Sequence, residues 1–208
     1  MDNLVITIGR QYGSGGLKIA RMLADKMGIK CYDKELLAVA AEDSGFCEEI
    51  LKQHDEKPSN SFLYSMVMDP YYMGGANTFM DMPLNQKVFL AQFDAIKKLA
   101  QHESCIIVGR CADYALEEHD NKISIFITAD IEDCIDFSIN ELGDEPAKAK
   151  DIITKTNKKR ASYYNYYTNK KWGSAESYDL CINRSRTGFD GAVEAILSYI
   201  DIVKNLKA

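Results

Sequence analysis

Short apolar runs alternate with longer segments of helical periodicity from one end of the chain to the other. The runs are rich in β-branched residues and predict strands, whereas apolar residues that recur every three or four positions predict helices. The predicted strands span residues 5–8, 29–32, 104–108, 122–128 and 178–183. The predicted helices span residues 17–27, 33–43, 84–101, 112–118, 131–141, 146–168 and 188–205.

Strands that alternate with helices in this way predict an α/β fold. Right-handed β–α–β connections produce a parallel sheet that is covered by helices on both faces. In such sheets the ligand site lies at the carboxyl ends of the strands. We therefore expect the functional residues to follow directly after the strands.

The loop after the first predicted strand is rich in glycine. It contains Gly13, Gly15 and Gly16, and a helical pattern begins at Leu17. Glycines allow backbone N–H groups to converge on an anion, and the helix N-terminus adds its partial positive charge. The segment predicts a phosphate cradle, although an ordinary tight turn from strand to helix has the same build.

The loop departs from the P-loop pattern G-x-x-x-x-G-K-[ST]. With Gly15 as the second glycine, Gly16 occupies the lysine position and Leu17 the position of the Mg²⁺-binding hydroxyl. Arg10 stands at the first glycine position, and Arg10 and Lys18 are the candidate replacements for the missing lysine. The dinucleotide fingerprint G-x-G-x-x-G fits worse, because Lys18 stands at its last glycine.

Composition narrows the class of protein. A chain of 208 residues with 46% hydrophobic residues is long enough for one domain with a sizeable core. A net charge of −6 argues against a general nucleic-acid or membrane binder. The sequence has no long apolar run and no basic leader, and its six cysteines are scattered, so we expect a cytoplasmic protein with reduced thiols rather than a metal site or disulfides.

A basic and aromatic stretch, residues 155–172, stands out in this acidic chain. It carries six cations and no acidic residue, with four tyrosines and the only tryptophan. This concentration of positive charge favours a lid that clamps phosphates. A solvated helix face and a groove for single-stranded nucleic acid are the other interpretations, and the tyrosines fit packing as well as ligand contact.

Residues 58–83 form an irregular stretch with three of the four prolines and five of the eight methionines. It fits a mobile lobe that closes on a substrate. It fits equally well a loop that packs on a second subunit, because methionine adapts to irregular surfaces. A homodimer is therefore an open expectation.

Taken together, these segments resemble the cytidylate kinase-like branch of the P-loop nucleoside monophosphate kinases. The segments that carry the resemblance are ITIGRQYGSGG (6–16), YDKELL (32–37), IIVGRCADY (106–114), IFITAD (125–130), KRASYYNYYT (159–168) and YDLCIN (178–183). They occur in order over nearly the whole chain, and only the methionine-rich stretch has no counterpart.

The resemblance implies a P-loop NTPase-type three-layer α/β/α domain with a five-stranded parallel sheet. It implies a single domain over residues 1–208, with an inserted acceptor-binding lobe at about 45–100 and a lid at about 146–173. The implied reaction transfers the γ-phosphoryl group of ATP to a nucleoside monophosphate, most readily CMP. Mg²⁺ would be held mostly through water and phosphate oxygens rather than by a set of protein ligands.

The resemblance also assigns roles to residues. The loop from Gly13 to Lys18 would hold the nucleotide phosphates, and its members are Gly13, Ser14, Gly15, Gly16, Leu17 and Lys18. Lys159 and Arg160 look like lid cations that act on the transferring phosphoryl group together with Arg10. Asn183, Arg184 and Ser185 would approach the base of the donor.

The acceptor site would use residues that follow the second and third strands. Asp33 would orient the acceptor, although an aspartate at that place also fits a helix N-cap. Arg110 would bind the acceptor phosphate through its planar guanidinium, with a surface salt bridge as the alternative. Asp113 is the candidate for the acidic side chain that cytidylate kinases carry beside this arginine.

Departures from active kinases leave three functions open. Gly16, Leu17, Asn157 and the net acidic segment 131–137 all differ from what an active kinase would carry. The leading hypothesis is a nucleotide-dependent phosphotransferase that acts on small nucleotide substrates. The second is a nucleotide-binding sensor or partner-binding protein without efficient transfer. The third, and weakest, is a single-stranded RNA binder that uses residues 155–172.

Overall fold

The computed structural model describes residues 3–57 and 82–207 of the chain. Its centre is a parallel sheet of five strands in the order β2-β3-β1-β4-β5. The strands are β1 (Val5–Arg10), β2 (Lys30–Tyr32), β3 (Cys105–Val108), β4 (Lys122–Thr128) and β5 (Leu180–Asn183). All five predicted strands are confirmed, and the parallel arrangement is as expected. Most of the methionine-rich stretch lies outside the described residues.

Eight helices are present in the part of the chain that the structure describes. They are α1 (Gly16–Met27), α2 (Glu35–Ser44), α3 (Glu48–His54), α4 (Leu84–His102), α5 (Ala112–Ala115), α6 (Ile131–Asn140), α7 (Ala149–Thr168) and α8 (Arg184–Lys207). A short 3₁₀ helix, Ala175–Ser177, precedes β5. The sequence pattern missed α3, because a helix of seven residues offers too few turns to establish a period.

Side chains on the two faces of the sheet build two separate apolar clusters. Successive side chains of a strand point to opposite faces, so Ile6 and Ile8 of β1 face one helical layer whereas Val5 faces the other. The first layer consists of α1 and α8, and the second includes α2, α4 and α5. This is the three-layer α/β/α arrangement that the sequence predicts.

A third cluster, which is aromatic, joins α7 to the edge of the core. Phe126 of β4 packs with Tyr163 and Tyr164 of α7 and with Tyr178, which precedes β5. The tyrosines at 163 and 164 are therefore packing residues. This cluster brings the basic N-terminal part of α7 over the carboxyl ends of the strands.

Three helix boundaries differ from the prediction by three residues or more, and one of them is the start of α7 at Ala149 instead of 146. The predicted helix 112–118 ends at Ala115, because Leu116 leaves the helical region with φ of −107°. The last helix begins at Arg184 instead of 188, and Gly188, with φ of 66°, interrupts it after its first turn. Within the described residues, none of the helices combines the length and the apolar character that crossing a bilayer requires.

Ile6→Ala tests the dependence of the fold on the central strand. Ile6 is fully buried, whereas Ile202 on α8 is 58% exposed and provides a chemically matched control. We expect Ile6→Ala to lower the free energy of unfolding by about 2–5 kcal/mol, because it removes buried methylene groups and leaves a cavity. We expect Ile202→Ala to change it by less than about 0.5 kcal/mol. Urea titration followed by circular dichroism measures both, and equal losses would contradict the assignment of the core.

Candidate functional site

A cleft of about 430 Å³ opens at the carboxyl end of β1, between the glycine loop, α1 and α6. Its volume lies within the range of small-ligand sites. The lining includes Gly13, Gly15, Gly16, Leu17 and Lys18 of the predicted phosphate cradle, and also Arg10, Asp33 and Arg160. The tertiary structure therefore gathers residues from four distant segments of the chain around one cleft.

The glycine loop has the backbone conformation that its sequence implies. Gly13 and Gly15 adopt left-handed φ angles of 78° and 75°, which glycine adopts without strain. A Cβ atom on Gly15 would lie 2.5 Å from Cε1 of Phe189, and one on Gly13 would collide with the carbonyl oxygen of Cys134. Both positions thus need glycine for conformation and for space.

Arg10 explains why glycine stands at the lysine position of the P-loop pattern. A Cβ atom on Gly16 would lie 2.5 Å from Cβ of Arg10. The stem of the arginine therefore occupies the space from which a lysine at position 16 would start. The side chain of Arg10 can be accommodated only because residue 16 is a glycine. The positive charge at this place therefore belongs to Arg10, at the end of β1, and not to a residue in the first turn of α1.

Arg184 holds the glycine loop from behind. Its guanidinium donates hydrogen bonds to the carbonyl oxygens of Ser14 at 3.1 Å, of Gly13 at 3.4 Å and of Asp133 at 3.2 Å. The amides of the first helical turn have no partner within α1 and lie at the cleft. This arrangement suits an anion-binding loop. Arg184 offsets the negative partial charge of the loop carbonyl oxygens, while the loop amides stay available to an anion in the cleft.

Asn157 and Tyr12 fix the other end of the loop. The Asn157 side chain accepts a hydrogen bond of 2.7 Å from the Tyr12 amide. The Tyr12 hydroxyl donates to Asp144 at 2.9 Å. Burial and the neighbouring Asp144 raise the pKa of Tyr12 to about 12, so the tyrosine remains a hydrogen-bond donor at neutral pH.

The turn that follows β3 is strained. Gly109, Arg110 and Cys111 adopt three successive left-handed φ angles of 78°, 52° and 55°. For the two non-glycine residues this conformation is unfavourable and persists only when the surroundings impose it. Because of this turn, the side chain of Arg110 is directed inward, toward the carboxyl ends of the strands, and is buried.

Arg110 is the most buried of the candidate cations, with its side chain 2% exposed. Two of its nitrogens donate to the two carboxylate oxygens of Asp55, at 3.0 and 2.8 Å. A third nitrogen donates to the backbone oxygen of Asp33 at 2.7 Å and lies 3.3 Å from its carboxylate. Burial alone would lower the pKa of Arg110, but Asp55, Glu56 and Asp33 outweigh burial and raise it.

Glu56 bridges the other two arginines. One carboxylate oxygen lies 2.9 Å from Arg10 and the other 3.4 Å from Arg160, and the glutamate side chain is only 14% exposed. Burial would raise the pKa of Glu56, yet Arg10, Arg160 and Arg110 hold it well below its usual range. Burial and the neighbouring Arg10 lower the pKa of Arg160 to about 10, so Glu56 and Arg160 are both charged at neutral pH.

Only part of the predicted lid reaches the cleft. Arg160 donates to the backbone oxygen of Arg10 at 3.2 Å, and Lys159 donates to that of Asp55 at 3.2 Å. Lys155 and Lys170, by contrast, form ion pairs with Asp151 and Glu117 away from the site. Tyr163 and Tyr164 are buried in the aromatic cluster, an arrangement that does not favour a stacking platform for RNA.

Lys18 lies at the outer rim of the cleft. Its ammonium group is 3.6 Å from Glu141 and 4.7 Å from the ring centre of Phe189, and the side chain is 45% exposed. Phe189 in turn packs on Phe137 of α6, with ring centres 5.7 Å apart. An aromatic pair therefore stands beside the glycine loop, next to the segment where the resemblance expects the donor base.

Asp113 borders the same small cavity as Arg10, Arg110 and Arg160. It is 7% exposed and accepts a hydrogen bond of 2.6 Å from the Tyr164 hydroxyl. The cavity measures about 20 Å³, and Thr7 and Tyr178 also line it. Among the residues that the structure describes, the buried hydroxyl groups of Thr7 and Tyr178 have no hydrogen-bond partner. The space suffices for about one water molecule that would satisfy them.

Thus Arg10, Asp33, Arg110 and Arg160 converge, and Asp113 borders the same small cavity as the three arginines. Lys18 lies at the rim of the cleft. The sequence analysis missed Asp55 and Glu56, which supply most of the negative charge of the site. Nothing in the local pattern distinguishes this pair from exposed acidic pairs such as Glu48 and Glu49. The roles of Arg184 and Phe189 also depend on contacts that are distant along the chain.

Asp113→Asn tests the burial of this carboxyl group. Burial raises the pKa of Asp113, so the folded protein binds a proton more readily at this site than the unfolded chain, whose aspartates titrate near about 3.9. The resulting stability is present below that unfolded value and is lost as pH rises through the native pKa. Asp113→Asn retains an acceptor for the Tyr164 hydroxyl but has no proton to lose. We therefore expect the difference in free energy of unfolding, Asp113→Asn minus wild type, to become more positive as pH rises. Urea titrations between pH 4 and 8 measure the difference, with exposed Asp190→Asn as control. Parallel curves for Asp113→Asn and wild type would contradict this expectation.

Comparison with known proteins places this site in a family. The sequence profile of the cytidylate kinase-like family matches residues 5–186. The crystal structure of an uncharacterized protein from Eubacterium ventriosum has a TM-score of 0.72 at 30% identity, over 96% of this chain and 99% of that one. No curated protein matches the sequence significantly.

A kinase fold is also recognisable at lower identity. Shikimate kinase from Bacteroides thetaiotaomicron has a TM-score of 0.56 at 13% identity, over 95% of this chain and 98% of that one. Identity this low speaks for the fold alone, which is the predicted P-loop-type α/β/α fold. Since the family profile spans most of the chain, and a relative at 30% identity spans nearly all of it, this protein belongs to the cytidylate kinase-like family.

Proposed function

We propose that this protein is an ATP-dependent kinase whose acceptor is a small phosphorylated metabolite, with CMP as the first candidate. The observation that carries the proposal is the convergence of three arginines beside a glycine loop. Arg10 follows β1, Arg110 follows β3 and Arg160 comes from α7, and all three interact with the acidic residues Asp55 and Glu56. Family membership supports a kinase in general. The choice of CMP as its acceptor is the more specific claim, and it is tested separately below.

The arrangement suits phosphoryl transfer because that reaction depends chiefly on positioning and on neutralising negative charge. The cleft side of the glycine loop would bind the donor phosphates through the amides of Gly15, Gly16 and Leu17. Arg10 and Arg160 would neutralise the charge of the transferring group, since both guanidinium groups already contact one shared carboxylate. Arg110 would bind an oxyanion of the acceptor through the two nitrogens that now hold Asp55.

Mg²⁺ fits this site only as an ion that is held mainly by substrate. Leu17 offers no hydroxyl, and within the described residues no group of three or more His, Cys, Asp or Glu side chains could hold a metal ion. Mg²⁺ is commonly bound through phosphate oxygens and water with one or two carboxylates. When bound, it would bridge donor phosphates and offset their charge. Asp33, which lines the cleft, would be one carboxylate available to its water shell.

A second function is favoured by a specific observation. The guanidinium of Arg10 is directed at Glu56 and Asp33 and away from the first turn of α1, where a P-loop lysine would begin. If Arg10 keeps this orientation with nucleotide bound, the protein binds nucleotide without efficient transfer and acts as a sensor. Turnover separates the two functions.

The function is tested by calorimetric titration with ATP and Mg²⁺ and then with CMP and other monophosphates, with ADP release followed in the same samples. Acceptor-dependent ADP release supports the kinase and names its acceptor. ATP binding without ADP release for any monophosphate favours the sensor. Absence of ATP binding contradicts both functions.

Arg10→Ala tests the assignment of the missing lysine. We expect it to lower kcat by about 10²–10³-fold, because removing one charge-stabilising donor typically has that effect, while the thermal midpoint shows that the protein still folds. Lys26→Ala is the control, since Lys26 forms an exposed ion pair with Glu194 on the far end of α1. If neither Arg10→Ala nor Arg110→Ala changes turnover, the site is wrongly assigned.

A further inference from the structure

We propose that the acidic pair Asp55–Glu56 is a built-in competitor for substrate, which occupies the anion site of the three arginines and leaves it when a phosphate-bearing ligand binds. The proposal rests on the proposed function for the identity of the ligand, and it adds regulation of that same site by the chain's own segment.

Asp55 binds Arg110 as an oxyanion of a substrate would. Its two carboxylate oxygens accept from two nitrogens of the same guanidinium, at 3.0 and 2.8 Å. This two-pronged geometry is the one that arginine uses for carboxylates and phosphates alike. Asp55 thus occupies the face of Arg110 that an incoming phosphate would need.

Glu56 fills the neighbouring position. Its carboxylate lies between Arg10, at 2.9 Å, and Arg160, at 3.4 Å. It also lies against Gly109, so close that a Cβ atom on that glycine would be 2.7 Å from the carboxylate oxygen. The carboxylate therefore sits where the ends of β1 and β3 and helix α7 meet, which is the centre of the proposed reaction site.

Charge balance indicates what would replace the pair. Arg10, Arg110 and Arg160 bring three positive charges, and Asp33 offsets one of them. Asp55 and Glu56 offset the remaining two. If the pair left without replacement, buried guanidinium groups would stay uncompensated, which is strongly unfavourable. A ligand with about two negative charges restores the balance, and a phosphate dianion carries that charge.

The acidic pair is attached in a way that allows exchange. Glu56 has a left-handed φ of 49°, which is unfavourable for a residue with a side chain and is maintained here by its ion pairs. The pair follows α3, which has only seven residues and buries one of them, Leu51. The short helix thus adds little packing to hold the segment once the arginines accept another anion.

Glu56→Gln tests the competition, with inorganic pyrophosphate as the probe. Glutamine keeps the size of glutamate but lacks the charge that competes for Arg10 and Arg160. We expect Glu56→Gln to bind pyrophosphate at least about tenfold more tightly than wild type in calorimetric titration without Mg²⁺. Glu49→Gln on the exposed face of α3 makes the same change in net charge and serves as the control. Affinity that is equal or weaker in Glu56→Gln, or pyrophosphate binding to neither protein, would overturn the proposal.

Hydrogen exchange in wild type separates displacement from a simple effect of charge. We expect saturating pyrophosphate to accelerate amide exchange in peptides that cover residues 48–57 while peptides of α8 stay unchanged. Unchanged or slower exchange in residues 48–57 would mean that the pair is a permanent structural partner of the arginines. Neither measurement requires turnover, so a protein that fails as a kinase still gives a clear answer about the acidic pair.

Discussion

Three guanidinium groups, of which Arg110 is fully buried and Arg10 and Arg160 are largely buried, meet at one edge of the sheet, and this is the constraint on which the site depends. A buried cation without a partner is strongly unfavourable, so Arg10, Arg110 and Arg160 require anions within contact distance. Asp33, Asp55 and Glu56 provide them, and they come from two segments that are far from the arginines along the chain. The same requirement that brings these segments together also creates a place that suits the phosphates of a substrate.

The fold meets this requirement through its topology. Parallel strands all end at the same edge, so the residues that follow β1, β2 and β3 are neighbours in space. The aromatic cluster around Tyr163 and Tyr164 then holds α7 over that edge and brings Arg160 to the other cations. The strained turn at Gly109 to Cys111 gives Arg110 its inward direction. Local strain is thus located at the site and is offset by the packing of the surrounding layers.

Arg10 and Gly16 are in close steric contact at the start of the glycine loop. A residue at position 16 with a side chain would collide with the stem of Arg10, so the two positions constrain each other. The guanidinium of Arg10 therefore approaches the cleft from the end of β1. The side chain of Arg10 thus connects the glycine loop to the acidic pair. Its Cβ atom lies against Gly16, and its guanidinium group contacts Glu56.

The sequence by itself determined the layers and the approximate order of elements, because period-two and helical patterns record which side of each element is buried. It also located the glycine loop and picked out Arg10, Asp33, Arg110 and Arg160, since these follow recognisable strands or lie in a distinctive basic stretch.

Only the tertiary structure decided how those residues work together. The missed helix α3 is too short for a periodic signal, and the acidic pair that follows it resembles any exposed pair until the fold places it against the arginines. Likewise, Lys159 and Arg160 differ little in sequence from Lys155 and Lys170, which turn elsewhere. Ion pairs between distant segments leave no local pattern, because each partner is chosen by its position in space and not by its neighbours along the chain.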